Sequence, residues 1–165
     1  MSTVGITLAE LLADNEASTA KWEAWFAENP AALDAPCDIY NSKTVGGLVR
    51  HIFAVETRHS QRLMGEPATP YEAIPSGSGD VLFTLHSEAI HRLHKFLEQS
   101  TPAALDEVIE LQTVSAGTLH ASRRKLFVHV MLHSMRHWAQ MATHLRAQGY
   151  TTGWAKDFLM SDAMR

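Results

Sequence analysis

The chain has 165 residues, of which 45% are hydrophobic and 19% charged, and its formal net charge at pH 7 is −4. This size and composition predict one domain over residues 1–165 with a single hydrophobic core, and they exclude a mainly disordered chain. The negative charge argues against a nucleic-acid partner, because such binding depends on basic surfaces. No stretch approaches 18 uncharged apolar residues, so no membrane span is predicted.

The cysteine count and the N-terminal sequence bear on the cellular compartment. The single cysteine, Cys37, has no partner for an internal disulfide. The first residues, MSTVGITLAELLADNEAS, have neither a basic start nor a long apolar run with a cleavage site. We therefore expect a cytoplasmic protein.

The first two predicted elements are amphipathic helices. Apolar residues recur at helical spacing from about residue 7 to residue 28, where an Asn-Pro pair gives a stop. After a loop, Ser42 or Thr44 can cap a second helix that ends near Gly65. Residues 66–79 are rich in proline, glycine and serine, which predicts a connection within the same domain.

The second half of the chain contains two more predicted helices. The third covers about residues 80–99, and the fourth runs from about Ser122 to Gln148 and stops at Gly149. Between them, two β-prone runs around Ser115-Ala116-Gly117 predict a small hairpin. Four amphipathic helices must bury their apolar faces against one another, so the predicted fold is an all-α four-helix bundle with a β-hairpin between its third and fourth helices.

The fourth helix carries a stripe of imidazole and amide side chains. The segment HVMLHSMRHWAQMATH places His129, His133, His137, Gln140 and His144 at spacings of four, four, three and four. At about 100° per residue, all five lie on one narrow face of the helix. Two histidines four residues apart can direct their rings at one metal ion, and both His129 with His133 and His133 with His137 fit.

A third ligand is expected from a facing helix, and His51 in the second helix is the best candidate. Gly47 lies one helical turn before His51, on nearly the same face. We expect this glycine to leave open space beside the ring, as a metal with a bound water or substrate requires.

Two blocks of sequence resemble the DinB/YfiT family of small metal-binding four-helix proteins. They are TVGGLVRHIFAVETRHSQRLMGEP around His51 and HVMLHSMRHWAQMATHLRAQGY near the end. The resemblance implies that His51, His133 and His137 bind one divalent metal ion, commonly zinc or nickel, with His129 and Gln140 around the ligands. One departure is Ser134, because many relatives carry an acid at that position.

The resemblance also implies a class of activity. The family contains thiol-dependent transferases and isomerases, so we expect a metal-dependent hydrolase or a thiol-dependent S-transferase with an open coordination position. Its partners would be a small-molecule substrate, a low-molecular-weight thiol and a second copy in a homodimer. Arg50, Arg58 or Arg136 could hold an anionic substrate group, and no residue is assigned as catalytic base. The alternative is a non-catalytic or stress-related bundle with a structural metal, but such sites usually have four protein ligands.

Other histidine chemistry is less consistent with the sequence. Two Glu-x-x-His strings, Glu56 to His59 and Glu88 to His91, suggest a di-iron bundle, but the fourth helix has no acidic residue to complete one. No Cys-x-x-Cys-His string indicates haem attachment. Five histidines are expected at the surface or the core edge: His59, His86, His91, His94 and His120.

Overall fold

Four long helices form the framework of the computed structural model, which describes residues 5–113 and 116–163. They are α1 (Leu8–Glu28), α2 (Val45–Leu63), α3 (Gly79–Gln99) and α5 (Arg123–Ala147), with a short helix α4 (Pro102–Asp106) before α5. The helices α1 and α2 each pack against both α3 and α5, so α1 lies diagonally opposite α2. The predicted four-helix bundle is confirmed. Helix α4 was not predicted, because five residues are too few to show a helical period.

Side-chain caps fix the N-termini of α2 and α5, the two helices that carry the histidines of the candidate site. Thr44 caps α2, since its Oγ1 accepts a hydrogen bond of 3.0 Å from the Gly47 N–H. Ser122 caps α5 in the same way. Gly149 follows α5 with φ 88°, the left-handed conformation that the sequence predicted for a helix stop.

Two short antiparallel strand pairs accompany the helices. Strands β3 (Val108–Thr113) and β4 (Gly117–Ser122) form the predicted hairpin, with Val108 opposite Ser122 and Thr113 opposite Gly117. The predicted turn residue Ser115 lies outside the described residues. The pair β1 (Pro36–Cys37) and β2 (Lys43–Thr44) was not predicted, because two residues show no alternation. Among the helices that are described, none is long and apolar enough to cross a bilayer.

The hydrophobic core is divided into two clusters along the bundle axis. The cluster towards the start of α2 includes Trp22, Phe26, Phe53 and Trp138, and the other includes Leu12, Leu93, Phe127 and Met131. Each long helix contributes to both clusters. Between its two contributions, each helix has a buried polar residue: Asn15 on α1, Glu56 on α2, His86 on α3 and Ser134 on α5. We call these four residues the polar layer.

Glu56 is the centre of the polar layer and has no exposed surface. Its Oε1 accepts hydrogen bonds from Asn15 Nδ2 at 3.3 Å and Ser134 Oγ at 2.7 Å. Its Oε2 lies 2.7 Å from Nδ1 of His86. A buried carboxylate requires such partners, and here every other long helix supplies one. The prediction that His86 lies at the surface or the core edge was therefore wrong.

Candidate metal centre

Two adjacent helices bring three buried histidines together. His51 projects from α2, while His133 and His137 project from successive turns of α5. Their exposed fractions are 6%, 6% and 3%, and one ligand nitrogen from each lies within 4.8 Å of the other two. The rings of His133 and His137 have centroids 4.4 Å apart, as a spacing of four residues on one helix allows. The structure thus assembles the three residues that the sequence proposed as ligands, which we call the triad.

The nitrogens of the triad have few partners within the protein. Nε2 of His51 lies 3.1 Å from Nε2 of His133, a contact that is a hydrogen bond only when one nitrogen carries a proton and the other does not. Four further nitrogens are buried without a hydrogen-bond partner in the described parts of the chain: Nδ1 of His51, Nδ1 of His133 and both ring nitrogens of His137. Buried polar atoms without partners are rare, so this concentration needs an explanation.

A divalent cation fits this donor set. Two imidazole nitrogens bound tetrahedrally to zinc, each at about 2.0–2.1 Å, lie roughly 3.3 Å apart. The observed separation of 3.1 Å between the two Nε2 atoms is close to that value. Imidazole is also a preferred ligand of zinc and nickel, and three imidazoles leave a coordination position for another group.

Burial keeps the triad in the neutral form that binds metal. Desolvation is the largest cause that lowers the pKa of His51 to about 4 and that of His133 to about 2, and the other rings and Arg136 lower both further. The pKa of His137 is lowered by burial and by Arg136, while the side chain of Gln140 acts in the opposite direction. All three rings are therefore unprotonated at neutral pH, and a metal ion has no proton to displace.

The loop between β1 and β2 places an aromatic ring over the triad. The ring centroid of Tyr40 lies 4.1 Å from that of His51 and 6.1 Å from that of His137, and 61% of Tyr40 is exposed. Tyr40, Asn41 and Lys43 have φ angles of 52°, 57° and 63°, a region that non-glycine residues seldom occupy. The loop therefore holds a strained conformation while Tyr40 covers the solvent side of His51.

Gly47 is required by this loop and does not open space beside His51. A Cβ atom at Gly47 would lie 2.2 Å from the backbone oxygen of Ser42, a distance that real contacts do not reach. The expectation of an open space at Gly47 was therefore wrong. The residue allows the loop to approach the first turn of α2, and this approach in turn brings Tyr40 to the triad.

The other polar residues of the α5 stripe lie around the triad. The ring of His129 has its centroid 5.6 Å from that of His133 and 5.6 Å from that of His59. Gln140 is exposed, one turn beyond His137. His144 is not part of the triad. Its Nε2 contacts the carbonyl oxygen of Pro36 at 2.7 Å.

Sequence reasoning missed the polar layer beside the triad. In the sequence, Glu56 stands out only as part of a Glu-x-x-His string, and Ser134 only as a departure from the acid that many relatives carry. In the structure, the hydroxyl of Ser134 donates to Glu56, so a carboxylate from α2 reaches this position on α5. The available signal was that Glu56 falls on the buried face of α2, between Ile52 and Leu63.

Comparison with known proteins shows the family and the fold of the chain. The family model described as "DinB family" matches residues 1–163. The chain belongs to the DinB family. The crystal structure of a DinB-like protein, YjoA, from Bacillus subtilis is similar, with a TM-score of 0.59 and 19% identity over 87% of this chain and 92% of that one. At this identity, the likeness shows the DinB fold alone. No curated protein sequence matches the chain.

Proposed function

We propose that His51, His133 and His137 bind one divalent metal ion, zinc or nickel, and that the chain uses it as a metal-dependent hydrolase or thiol-dependent S-transferase. The observation that carries the proposal is the buried triad, whose ligand atoms lie within 4.8 Å and whose nitrogens lack other partners. Membership of the DinB family agrees with metal binding. We further propose a cytoplasmic homodimer that acts on a small molecule.

Three neutral ligands favour catalysis over a purely structural role. A divalent cation with an open position acidifies a bound water or thiol, which supplies a nucleophile near neutral pH. The described residues contribute an unprotonated ligand set, the buried faces of α2 and α5, and the ring of Tyr40 on the solvent side. Glu56 is fully engaged by its three partners, so we assign no general base.

A structural metal is the second candidate, because one observation favours it. The triad joins α2 to α5, and a metal held by both helices would stabilise the bundle. The two roles differ in what the metal does when a ligand is offered. A structural site resists new ligands and its loss unfolds the protein, whereas an open site accepts them.

Cobalt substitution and chelation together test the proposal. We expect the visible spectrum of the cobalt-loaded protein to change on addition of 2-mercaptoethanol, and we expect a chelator to lower the melting temperature without unfolding the bundle at 25 °C. A matched control is His91→Ala, which removes an exposed histidine from α3. A chelator that unfolds the protein, together with a spectrum that ignores the thiol, would support the structural role. Absence of cobalt binding would contradict both.

A further inference from the structure

A cavity of about 120 Å³ lies between α1, α5 and residues 154–162 near the end of the chain. From α5 it is lined by Met131, Met135 and Trp138, among others. At about 100° per residue, these three residues face away from the histidines of the triad, which lie on the other side of the same helix. The cavity is therefore separate from the candidate metal centre.

Two side chains in the wall of this cavity carry buried polar atoms without a partner. Asn15 and Trp138 are 6% and 3% exposed, and both line the cavity. Neither Oδ1 of Asn15 nor Nε1 of Trp138 has a hydrogen-bond partner among the described residues. Buried polar atoms are nearly always satisfied by protein, water or a ligand, so a molecule in the cavity is expected to complete them.

The hydrogen-bonding roles of these two atoms are fixed. Nδ2 of Asn15 donates to Oε1 of Glu56. An exchanged amide would set an oxygen against that carboxylate oxygen, so Oδ1 is the unpartnered acceptor. The indole nitrogen of Trp138 can only donate. The cavity wall thus has one free acceptor and one free donor.

The acceptor and the donor lie at adjacent levels of the bundle. The hydroxyl of Ser134 donates to the same oxygen of Glu56 as Asn15 does, which places the Asn15 amide at the level of Ser134. Trp138 follows Ser134 by one turn of α5. One small group can therefore address both atoms.

The rest of the cavity wall combines apolar side chains with charges of both signs. Three methionines, Met131, Met135 and Met160, supply flexible apolar surface that adapts to the shape of a ligand. The charged lining residues are two lysines and three aspartates: Lys21, Lys156, Asp14, Asp157 and Asp162. Because these charges are mixed, they favour neither an anion nor a cation. The wall is suited to a neutral ligand with an apolar body.

We infer that this cavity binds a small neutral molecule with one hydroxyl group on an apolar body the size of a single ring. A hydroxyl both donates and accepts, so it can donate to Asn15 and accept from Trp138 at once. An apolar cavity of roughly 150 Å³ is enough to bind benzene, so a single ring matches the size of this one. The site is additional to the proposed function and does not depend on a metal ion.

Phenol and toluene test the inference, since they have nearly the same shape and only phenol has a hydroxyl. Each is titrated into the purified protein and followed by the indole N–H signals in proton–nitrogen NMR spectra. The signal of Trp138 is the one that is missing in Trp138→Phe. We expect phenol to shift this signal and to bind about tenfold more tightly than toluene, which leaves both buried polar atoms unpaired.

Two pairs of variants locate the binding. Trp138→Phe should reduce the preference for phenol to about threefold, because one of its two hydrogen bonds is lost. Trp22→Phe is the matched control, since Trp22 stacks on Trp138 at 5.3 Å but is not among the residues that line the cavity. Ala139→Phe places a ring at the cavity wall and should weaken both probes, whereas Ala147→Phe, at an exposed position of the same helix, should weaken neither.

Three results would overturn the inference. They are equal affinity for phenol and toluene, a phenol titration that leaves the Trp138 signal in place, and no binding of either probe, as expected of a cavity that holds only water. An unchanged preference in Trp138→Phe would contradict the assigned hydrogen bond. None of these results bears on the metal centre, because cobalt binding depends on residues outside this cavity.

Discussion

Glu56 is the residue on which the interior of the bundle depends most. It is fully buried, and side chains from α1, α3 and α5 reach its two oxygens at 2.7 to 3.3 Å. A carboxylate in such a place is tolerated only while its hydrogen bonds are complete. Its partners also fix how the four helices face one another, because each must present one polar residue at the same level.

Replacement of Glu56 by glutamine should destabilise the protein, although the two side chains have nearly the same size. The amide keeps one acceptor oxygen but presents an N–H group where His86 or Ser134 now meets a carboxylate oxygen, so one buried partner must change from donor to acceptor or lose its hydrogen bond. We expect the free energy of unfolding to fall by about 1–3 kcal/mol. Urea denaturation measures the change. Glu88→Gln, at a largely exposed site on α3, should stay within about 0.5 kcal/mol of the wild type, and equal losses in the two variants would contradict the account.

At the scale of elements, the loop between β1 and β2 most directly shapes the surroundings of the triad. Tyr40, Asn41 and the first residue of β2, Lys43, have left-handed conformations that turn the chain. The backbone oxygen of Ser42 packs onto Gly47 in the first turn of α2. Because this contact tolerates no side chain, glycine at position 47 couples the loop to the helix that carries His51.

Gly47→Ala should therefore disturb the loop and the triad together. The added methyl group meets a backbone oxygen, which cannot rotate away as a flexible side chain could, so the loop must shift. We expect lower stability, by at least about 1 kcal/mol, and faster release of bound cobalt because Tyr40 moves from His51. Gly79→Ala is the control, since a Cβ there makes only ordinary contact at 3.9 Å with Leu33. Cobalt release that is the same in both variants would show that the loop does not cover the site.

The sequence predicted the long helices well because their signals are local. Helical periodicity, the Thr44 and Ser122 caps and Gly149 set the limits of α2 and α5 to within a few residues. The loop before α2 could not be predicted. Its left-handed residues, including Tyr40, are not glycines. The loop contacts α2 through Tyr40 and Ser42, and these contacts leave no local pattern in the sequence.

The clustering of the three histidines was predictable from the sequence, but the surroundings of the cluster were not. Spacing of four on one helix indicated a pair among His129, His133 and His137, and the need for a ligand from a facing helix indicated His51. The resemblance to a family then selected one set of three. The partners of Glu56 come from three other helices, and Tyr40 reaches His51 from a loop. Such pairings over long sequence distances leave no periodic pattern in the sequence.

For the whole molecule, buried and half-buried histidines should make stability depend on pH. Burial is the first cause that lowers the pKa of His59 to about 3 and that of His51 to about 4, whereas unfolded histidine titrates near 6.5. Because the pKa is lower in the folded state, the unfolded state binds protons at a higher pH than the folded state does. The resulting stability is complete above about pH 6.5 and is lost as the pH falls towards the folded values.

Urea denaturation of the metal-free protein between pH 7.5 and 4.5 measures this dependence. We expect the free energy of unfolding to decrease with falling pH, by at most about 1.4 kcal/mol per pH unit for each buried histidine. His59→Gln should make the decrease shallower, and His91→Gln, at an exposed position, should not. A slope in His59→Gln equal to that of the wild type would contradict the role assigned to burial.

The metal content of the purified protein tests the central claim most directly. Elemental analysis should find about one divalent ion per chain in the wild type and in the control His91→Ala, since three clustered imidazoles form one site. His51→Ala, His133→Ala and His137→Ala should each lose most of it, with circular dichroism confirming that the helices remain. Equal metal in the wild type and in all three triad variants would contradict the account.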